Sequence, residues 1–328
     1  MKKTWSFVLT VAALVVVLAW ICQVQAYEVT GDVTPGWGQT GGNLWSGVLK
    51  ETATSSAGGY DDTQPYQRGV IVRPLTTASS PNPINPTNHN WIDGDYVLVT
   101  GRSGHRALYA IGELDPRFGN KTVNVTLNKD KKEYDLAGAG REVKKVVTID
   151  VVHAVDNIKG VSGDQHPYSQ ELVVSGAGIK PKKYTLADLQ AMQQVIFDAS
   201  AVDPKTNNTY GIWKGPALVG VLKASGIDTN NVDSYIVVTA TDGYATVVSM
   251  YEATHPTGAQ YALLAISDTL NNTVNCSLNG GTCAKKDSGF VRFVLPNDLA
   301  AGRWISNAYQ IIVYKLDREK GYHEPHRH

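Results

Sequence analysis

The residues with the clearest capacity for metal chemistry lie in the C-terminal tail GYHEPHRH. His323, His326 and His328 stand close together there, with Glu324 between them. Imidazoles at such spacing can bind copper, nickel or zinc. A short tail must be ordered when a metal binds, however, and this tail has no neighbouring residues to support the ligands. We therefore expect a solvated tail over residues 318–328 and no metal site, with the three histidines as a weaker alternative.

The second candidate pair is Cys276 and Cys283, in the segment NCSLNGGTCAKK. In an oxidising compartment a lone pair of nearby cysteines forms a disulfide more often than a metal site. Two thiolates without histidine partners also make a poor zinc site. We predict a disulfide between these two cysteines that closes a short surface loop.

Other reactive signatures are missing. The chain has no G-x-S-x-G nucleophile motif and no Walker-type phosphate loop. Its 30 basic and 30 acidic residues give a formal net charge of zero, and no dense basic block is present. Nucleic acid is therefore not expected as a partner.

The N-terminus has the pattern of a secretory signal. Lys2 and Lys3 precede the apolar run FVLTVAALVVVLAWI, and Val24-Gln25-Ala26 forms a small-x-small cleavage site. The run is about 15 residues long, short of the ~20 that span a bilayer, so we favour cleavage over a retained anchor. The mature chain should begin at Tyr27, be periplasmic or extracellular, and have no membrane contact.

The elements that must position any site occur twice. YVLVTGRSGH from Tyr96 aligns without a gap with YIVVTATDGY from Tyr235, and the match continues to Glu113 and Glu252. Each copy predicts a β-hairpin, and Asp-Gly turns of this kind favour φ above zero at both turn positions.

A second match places Arg141 opposite Arg303. DLAGAGREVKKVVTIDVV from Asp135 parallels DLAAGRWISNAYQIIVY from Asp298 with one residue inserted. YEVTGDV and Trp45-Ser-Gly47 likewise resemble LVVSGAG and Trp213-Lys-Gly215. Ordered matches at such long spacing predict two tandem copies of one domain. The expected divisions are a signal peptide at 1–26, a first domain at 27–156, a linker at 157–170, a second domain at 171–317 and a tail at 318–328.

Local patterns in the second copy predict a β-rich α+β fold with few short helices. Thr185 and Asp188 form a capping box at the start of one helix. A second helix is expected to begin at Gly215-Pro216 and to end at Gly226. The expected strands are 171–175, 234–239, 245–250, 261–266, 290–295 and 308–316.

The second copy, residues 172–316, resembles the sulfite-oxidase-type molybdopterin-binding oxidoreductase domain. The motifs that carry the resemblance occur in order: LVVSGAGIKPKKYTLADLQAM, WKGPALVGVLKASGI, VTATDGY, YALLAI, GFVRFVLP and GRWISNAYQIIVY. The resemblance implies that Trp213, Gly215, Arg292 and Arg303 stand at cofactor-binding positions. A pocket between the turn at Asp242 to Tyr244 and Arg303 would then hold the ligand.

The family's metal-binding cysteine is missing. The resemblance places that thiolate just before the W-x-G motif, where this chain has VIFDASAVDP. Asp198 or Ser200 can offer only a hard oxygen, which changes the preference of a molybdenum site. We expect these two residues to lie in an ordinary loop and no cofactor to be bound, with molybdopterin as the alternative.

These observations favour an exported, non-catalytic accessory protein that binds a protein partner or a small ligand. Two alternatives stay open. One is an active molybdopterin-dependent oxidoreductase with a metal ligand other than cysteine. The other is a structural or polymeric surface protein that associates with itself through its β-sheets.

Overall fold

The computed structural model describes residues 27–31, 36–38, 42–44, 94–116, 118–155, 169–201, 209–256, 260–268 and 289–316. The predicted signal peptide, the linker up to residue 168, the cysteine pair and the histidine tail lie outside these residues. Their predictions are therefore untested. We refer to residues 27–155 as the N-terminal half and to residues 169–316 as the C-terminal half.

Strands dominate both halves, and the helices are short, which confirms the β-rich part of the predicted fold. The N-terminal half contains β1 (Tyr27–Gly31), β2 (Gly36–Gly38), β3 (Gly42–Asn43), β4 (Asp95–Gly101), β5 (Arg106–Ala110), α1 (Ile111–Leu114), β6 (Val123–Asn128), β7 (Glu133–Gly138), β8 (Arg141–Val143) and β9 (Val146–His153). The C-terminal half contains β10 (Leu172–Gly176), β11 (Ile179–Tyr184), α2 (Leu186–Ala191), β12 (Gln194–Ala201), β13 (Thr209–Pro216), α3 (Leu218–Ala224), β14 (Ser234–Ala240), β15 (Ala245–Ser249), α4 (Met250–Thr254), β16 (Leu263–Ala265), β17 (Ser267–Asp268), β18 (Arg292–Val294), a 3₁₀ turn (Ala301–Arg303) and β19 (Ala308–Lys315).

Each half has a five-stranded mixed sheet, and the two sheets share one strand order. The order is β2-β1-β9-β4-β5 in the first and β11-β10-β19-β14-β15 in the second. In both, the second and third strands of this order are parallel, and the other neighbouring strands are antiparallel. The registers also agree, since Val29 pairs with Ile149 and Val174 with Ile311. These are residues that the internal sequence match makes equivalent.

The hairpin turns differ in detail from the prediction. Gly104 and Gly243 have φ of +79° and +83°, whereas Ser103 and Asp242 are not among the positive-φ residues. The amide of Gly101 donates to the carbonyl of His105, and the amide of Gly104 donates to that of Gly101. This is a three-residue loop with one left-handed glycine, so the expectation of positive φ at both positions is wrong.

The predicted helix ends are partly confirmed. Thr185 and Asp188 form the expected capping box at the start of α2, and Gly226, with φ of +87°, follows α3. Pro216 does not open α3 as predicted, because it ends β13 opposite Gln194. At Gly215 the strand runs so close to β16 that a Cβ would lie 2.0 Å from the carbonyl oxygen of Leu264.

The segment before the W-x-G motif is not a loop. Residues 194–201 form β12, which pairs along its whole length with β13, so that Asp198 lies opposite Ile212 and Ser200 opposite Tyr210. The expectation of an ordinary loop there is wrong. The inward-facing residues Val195, Phe197, Ala199 and Ala201 are all apolar, as expected for a strand that is buried on one face, whereas Ile196 on the outer face interrupts the apolar–polar alternation.

The apolar core has one cluster in each half and a third that joins them. The third cluster takes side chains from β4 and β5 and from β14 and β15. Within it the rings of Tyr96 and Tyr235, equivalent residues in the internal match, lie 4.7 Å apart. The two halves therefore pack through their sheets. Among the described residues, no helix is long and apolar enough to cross a membrane.

Candidate functional site

Two groups of buried charges lie where the halves meet. In each half a glutamate follows the β-hairpin on a short helix, and an arginine precedes the central strand of the sheet. The Arg141 cluster consists of Arg141, Glu113, Lys121 and, from the other half, Ser249. The Arg303 cluster consists of Arg303, Glu252 and Asp298.

In the Arg303 cluster one guanidinium binds two carboxylates. Arg303 donates from Nη2 and Nη1 to the two oxygens of Glu252 at 2.8 and 3.0 Å. It donates from Nε and Nη2 to Asp298 at 2.9 and 2.6 Å. The Arg303 side chain is fully buried. Two bidentate interactions use four of the five N–H groups of an arginine, and the group has no solvent-facing part.

In the Arg141 cluster two cations bind one carboxylate. Arg141 donates to both oxygens of Glu113, at 2.7 and 3.1 Å, and Lys121 Nζ lies 3.3 Å from the same carboxylate. The hydroxyl of Ser249 donates to Glu113 at 2.8 Å, and the amide of Ala110 donates to it at 3.1 Å. Glu113 is fully buried, and its charge is met from several sides.

The halves exchange contacts at these clusters in a reciprocal way. Gly112 of α1 lies against Arg303, so closely that a Cβ would be 2.2 Å from Cδ of the arginine. Its counterpart Tyr251 of α4 lies against Arg141, with the guanidinium carbon 4.5 Å from the ring centre. The Tyr251 hydroxyl also donates to the carbonyl of Gly140 at 2.9 Å. Each arginine is thus covered by the short helix of the other half.

The two carboxyl groups differ in their pKa. Burial raises the pKa of Glu113, but Arg141 and Lys121, with hydrogen bonds from Arg141 and Ser249, together hold it at about 2. Burial raises the pKa of Asp298 to about 7, and Arg303 opposes this shift only in part because Glu252 carries a second negative charge beside it. The difference follows from the number of cations per carboxylate.

A shallow cleft opens at this junction. Lys121 comes from the N-terminal half, and Glu252, His255 and Asp298 come from the C-terminal half. The cleft contains about 330 Å³ of empty space, which includes open solvent. The ring of His255 stacks on Tyr251 at 3.8 Å. The cleft therefore presents both signs of charge, and its acidic wall is the outer side of the Arg303 cluster.

Three of the residues that the resemblance places at cofactor-binding positions lie close together in the C-terminal half, where Trp213 and Gly215 are buried and Arg292 is half-buried. Trp213 is buried and packs edge-on against Trp304, with ring centres 5.6 Å apart. The guanidinium of Arg292 lies 5.4 and 5.6 Å from these two ring centres. Gly215 permits the close approach of β13 to β16 described above. None of the three lines the cleft.

The residues of the expected pocket lie on two different elements. Ser200 is on β12, whereas Asp242 and Tyr244 flank the β14–β15 turn. Asp242 accepts a hydrogen bond from the amide of Tyr244 at 2.9 Å. The Tyr244 hydroxyl donates to the carbonyl of Gly302 at 2.5 Å, next to Arg303. The expected gap between the turn and Arg303 is thus bridged by a direct hydrogen bond.

The Arg303 guanidinium does not fit the role of phosphate ligand that the resemblance implies. A pterin phosphate needs basic side chains with free donors, but the carboxylates of Glu252 and Asp298 already bind Arg303. Among the described residues, no group of three histidine, cysteine, aspartate or glutamate side chains has the geometry of a metal site.

Sequence reasoning found the equivalent glutamates and arginines but did not pair them. The internal match set Glu113 opposite Glu252 and Arg141 opposite Arg303. Each copy has a glutamate at one of these positions and an arginine at the other, and these opposite charges are the signal from which two internal ion pairs could be predicted. Nothing in the spacing indicated Lys121, His255 or Ser249. Lys121 binds Glu113 within the N-terminal half, and His255 stacks on Tyr251 within the C-terminal half. Only the contact of Ser249 with Glu113 depends on how the halves pack.

Comparisons with known proteins give little further guidance. No family model and no curated protein matches this chain. Among solved structures it is similar to the sulfane dehydrogenase SoxCD from Paracoccus pantotrophus, with a TM-score of 0.34 and 13% identity over 61% of this chain. The match covers 49% of the SoxCD chain, so this protein spans about half its length. A likeness this weak does not assign the chain to a family.

Proposed function

We propose that this chain is an exported, non-catalytic accessory protein that binds a protein partner or a small ligand at the junction of its two halves. The halves are two copies of a degenerate sulfite-oxidase-like domain in this proposal. Support for the duplication comes from the shared strand order and register of the five-stranded sheets. The sequence resemblance supports the family.

The observation that carries the proposal is the state of Arg303. The resemblance places this arginine where a basic residue would serve the cofactor, yet its guanidinium is fully buried and binds Glu252 and Asp298. Freeing it for a phosphate would leave two buried carboxylates without their cation, which costs several kcal/mol, on the order of 3–5. Arg303 therefore serves as the internal cation of two carboxylates in the C-terminal half.

The thiolate position supports the same conclusion. The resemblance places the metal ligand before the W-x-G motif, and this segment is the regular strand β12. Ala199 and Ala201 on its inner face are buried. Asp198 is exposed on the other face. These residues offer a molybdenum atom no soft donor.

Metal and pterin analysis of the natively exported protein tests this proposal. We expect far less than one molybdenum per chain and no fluorescent pterin after oxidation. An active sulfite-oxidase-type enzyme, purified and oxidised in parallel, controls for recovery of the cofactor. Near-stoichiometric molybdenum together with pterin would overturn the proposal and establish the oxidoreductase alternative.

A further inference from the structure

The outer edge of β12 is the surface from which an association can be inferred. The sheet order is β12-β13-β17, so β12 is a terminal strand with eight residues. Within the part of the chain that the structure describes, no strand pairs with this edge. Its backbone groups on that side form a template for another extended strand.

The edge strand of another sheet, β11, contains residues that oppose pairing, whereas β12 contains none of these residue types. β11 contains Pro181 and three exposed lysines: Lys180, Lys182 and Lys183. Lys182 also donates to the carbonyl of Ala224 at the end of α3. Proline and lysine on an edge strand oppose pairing with a second chain. β12, with the sequence QVIFDASA, has no proline, lysine or arginine.

The side chains of β12 leave an apolar residue in solvent. Val195 and Phe197 pack against the core, whereas Ile196 on the opposite face is 61% exposed. It is the most exposed of the large hydrophobic residues in the described chain. Asp198 is the only charged residue of the strand. Pairing along this edge would therefore bring few charges together.

We propose that β12 pairs antiparallel with β12 of a second copy of this chain, around a two-fold axis at Ile196. A two-fold axis perpendicular to the sheet keeps each face of the sheet on its own side. In an antiparallel pair of identical strands, such an axis lies midway between one residue and its own copy. An axis at Ile196 sets this residue against its own copy, Val195 against Phe197, and Gln194 against Asp198.

Other registers fit less well. An axis at Phe197 sets Ile196 against Asp198, which places an apolar side chain opposite a charge. An axis at Asp198 sets two aspartates against each other, and like charges directly opposite are destabilising. The axis at Ile196 avoids both unfavourable pairs, because Asp198 then lies opposite the neutral Gln194 and the apolar residues lie opposite one another. Because a two-fold contact uses the same surface on both copies, it closes as a dimer and does not extend into a fibre.

The first experiment compares two lysine substitutions in the full mature chain. Sedimentation velocity over a series of concentrations should show a weak, concentration-dependent dimer. Ile196→Lys should weaken it at least tenfold, because two lysines then face each other at the axis. Leu299→Lys replaces another exposed apolar residue, 56% exposed, and should leave the dimer unchanged. Unchanged melting temperatures show that both variants are folded.

The second experiment tests the register. Under mild oxidation with oxidised glutathione, Ile196→Cys should form a 196–196 disulfide between chains, detected as a linked peptide by mass spectrometry. Asp198→Cys should not, because its two copies would lie four residues apart along the ladder, about 13 Å, beyond the reach of a disulfide. A monomeric wild-type chain, equal weakening by both lysine substitutions, or equal crosslinking at 198 would each overturn the proposal.

Discussion

The Arg141 and Arg303 clusters occupy equivalent places in the two halves but hold opposite net charge. With ordinary ionisation, one carboxylate and two cations give the Arg141 cluster a charge of about +1, and two carboxylates and one cation give the Arg303 cluster about −1. The glutamate–arginine pair is common to both. The difference lies in the third group, Lys121 in one and Asp298 in the other.

This difference shows how the same local fold accommodates different electrostatics. A buried carboxylate is tolerated when its partners outweigh the loss of hydration. Glu113 has such partners, and Asp298 must share its guanidinium with Glu252. The excess charges also compensate across the junction, because Lys121 lowers the pKa of Asp298 and Glu252 raises that of Arg141. Opposite charge therefore helps to hold the halves together.

Replacing the arginine of each cluster should give the largest difference in the free energy of unfolding between the two clusters. Arg303→Met leaves two buried carboxylates without a cation and should lower the free energy of unfolding by about 3–5 kcal/mol. Arg141→Met should cost less, about 2 kcal/mol, because Glu113 keeps hydrogen bonds from Lys121, Ser249 and the backbone. Urea denaturation of both variants measures the difference.

A second substitution separates charge from packing. If Arg303→Met alone does not fold, the double variant with Asp298→Asn should recover part of the loss, since one of the two carboxylates is then neutral. Equal costs for the two arginines would show that the third group in each cluster has no energetic role.

The pH dependence of stability should have opposite signs in the two clusters. The pKa of Asp298 is raised to about 7 in the folded chain, so its stabilising contribution is present below pH 3.8 and is lost as pH rises through 7. The pKa of Glu113 is lowered to about 2, so its contribution is present above pH 4.5 and is lost as pH falls towards 2. At about 1.4 kcal/mol per pKa unit, the largest pH-dependent change in the free energy of unfolding is roughly 4 kcal/mol for Asp298 and roughly 3 kcal/mol for Glu113.

Two amide variants isolate these contributions. Relative to wild type, Asp298→Asn should gain stability as pH rises from 4 to about 8, whereas Glu113→Gln should gain stability as pH falls below about 4. Each amide substitution also weakens the hydrogen bonds to arginine, but the resulting loss of stability does not depend on pH. Parallel unfolding curves at each pH measure both slopes. Slopes of the same sign would contradict the contrast between the clusters.

The sequence allowed much of this framework to be predicted. The capping box at Thr185, the left-handed Gly226 and the strands of the C-terminal sheet follow from local patterns. The internal match identified the equivalent residues of both clusters, although it did not show that each glutamate binds the arginine of its own half. That pairing required a second step of reasoning from charge.

The remaining features depend on contacts between distant segments. The sequence around Pro216 favours a helix start. Pro216 nevertheless belongs to β13, in which the neighbouring Gly215 packs closely against Leu264 of β16. The loop expected at Asp198 and Ser200 is instead part of β12, because this segment pairs with β13 and the exposed Ile196 weakens the local strand pattern. The contact of Ser249 with Glu113 joins residues 136 positions apart, and it requires the packing of the two halves.

The smallest expected effect tests that last contact. The Ser249 hydroxyl accepts a hydrogen bond from the amide of Glu252, which caps α4, and donates to Glu113 at 2.8 Å. The equivalent residue Ala110 has no hydroxyl, and α1 has no side-chain cap. Ser249→Ala should therefore lower the free energy of unfolding by about 2 kcal/mol, the sum of a lost cap and a lost buried hydrogen bond.

Thr185→Ala supplies the matched control for this substitution. Thr185 caps α2 on an exposed turn, and within the described residues the hydrogen bonds of its hydroxyl go to Asp188 of the same helix. Its loss should therefore cost only the cap, about 1 kcal/mol. The excess cost of Ser249→Ala over Thr185→Ala then measures the hydrogen bond across the junction. Equal costs would mean that Ser249 serves only its own helix, and the contacts between the halves at the two clusters would then be those of residues such as Gly112 and Tyr251.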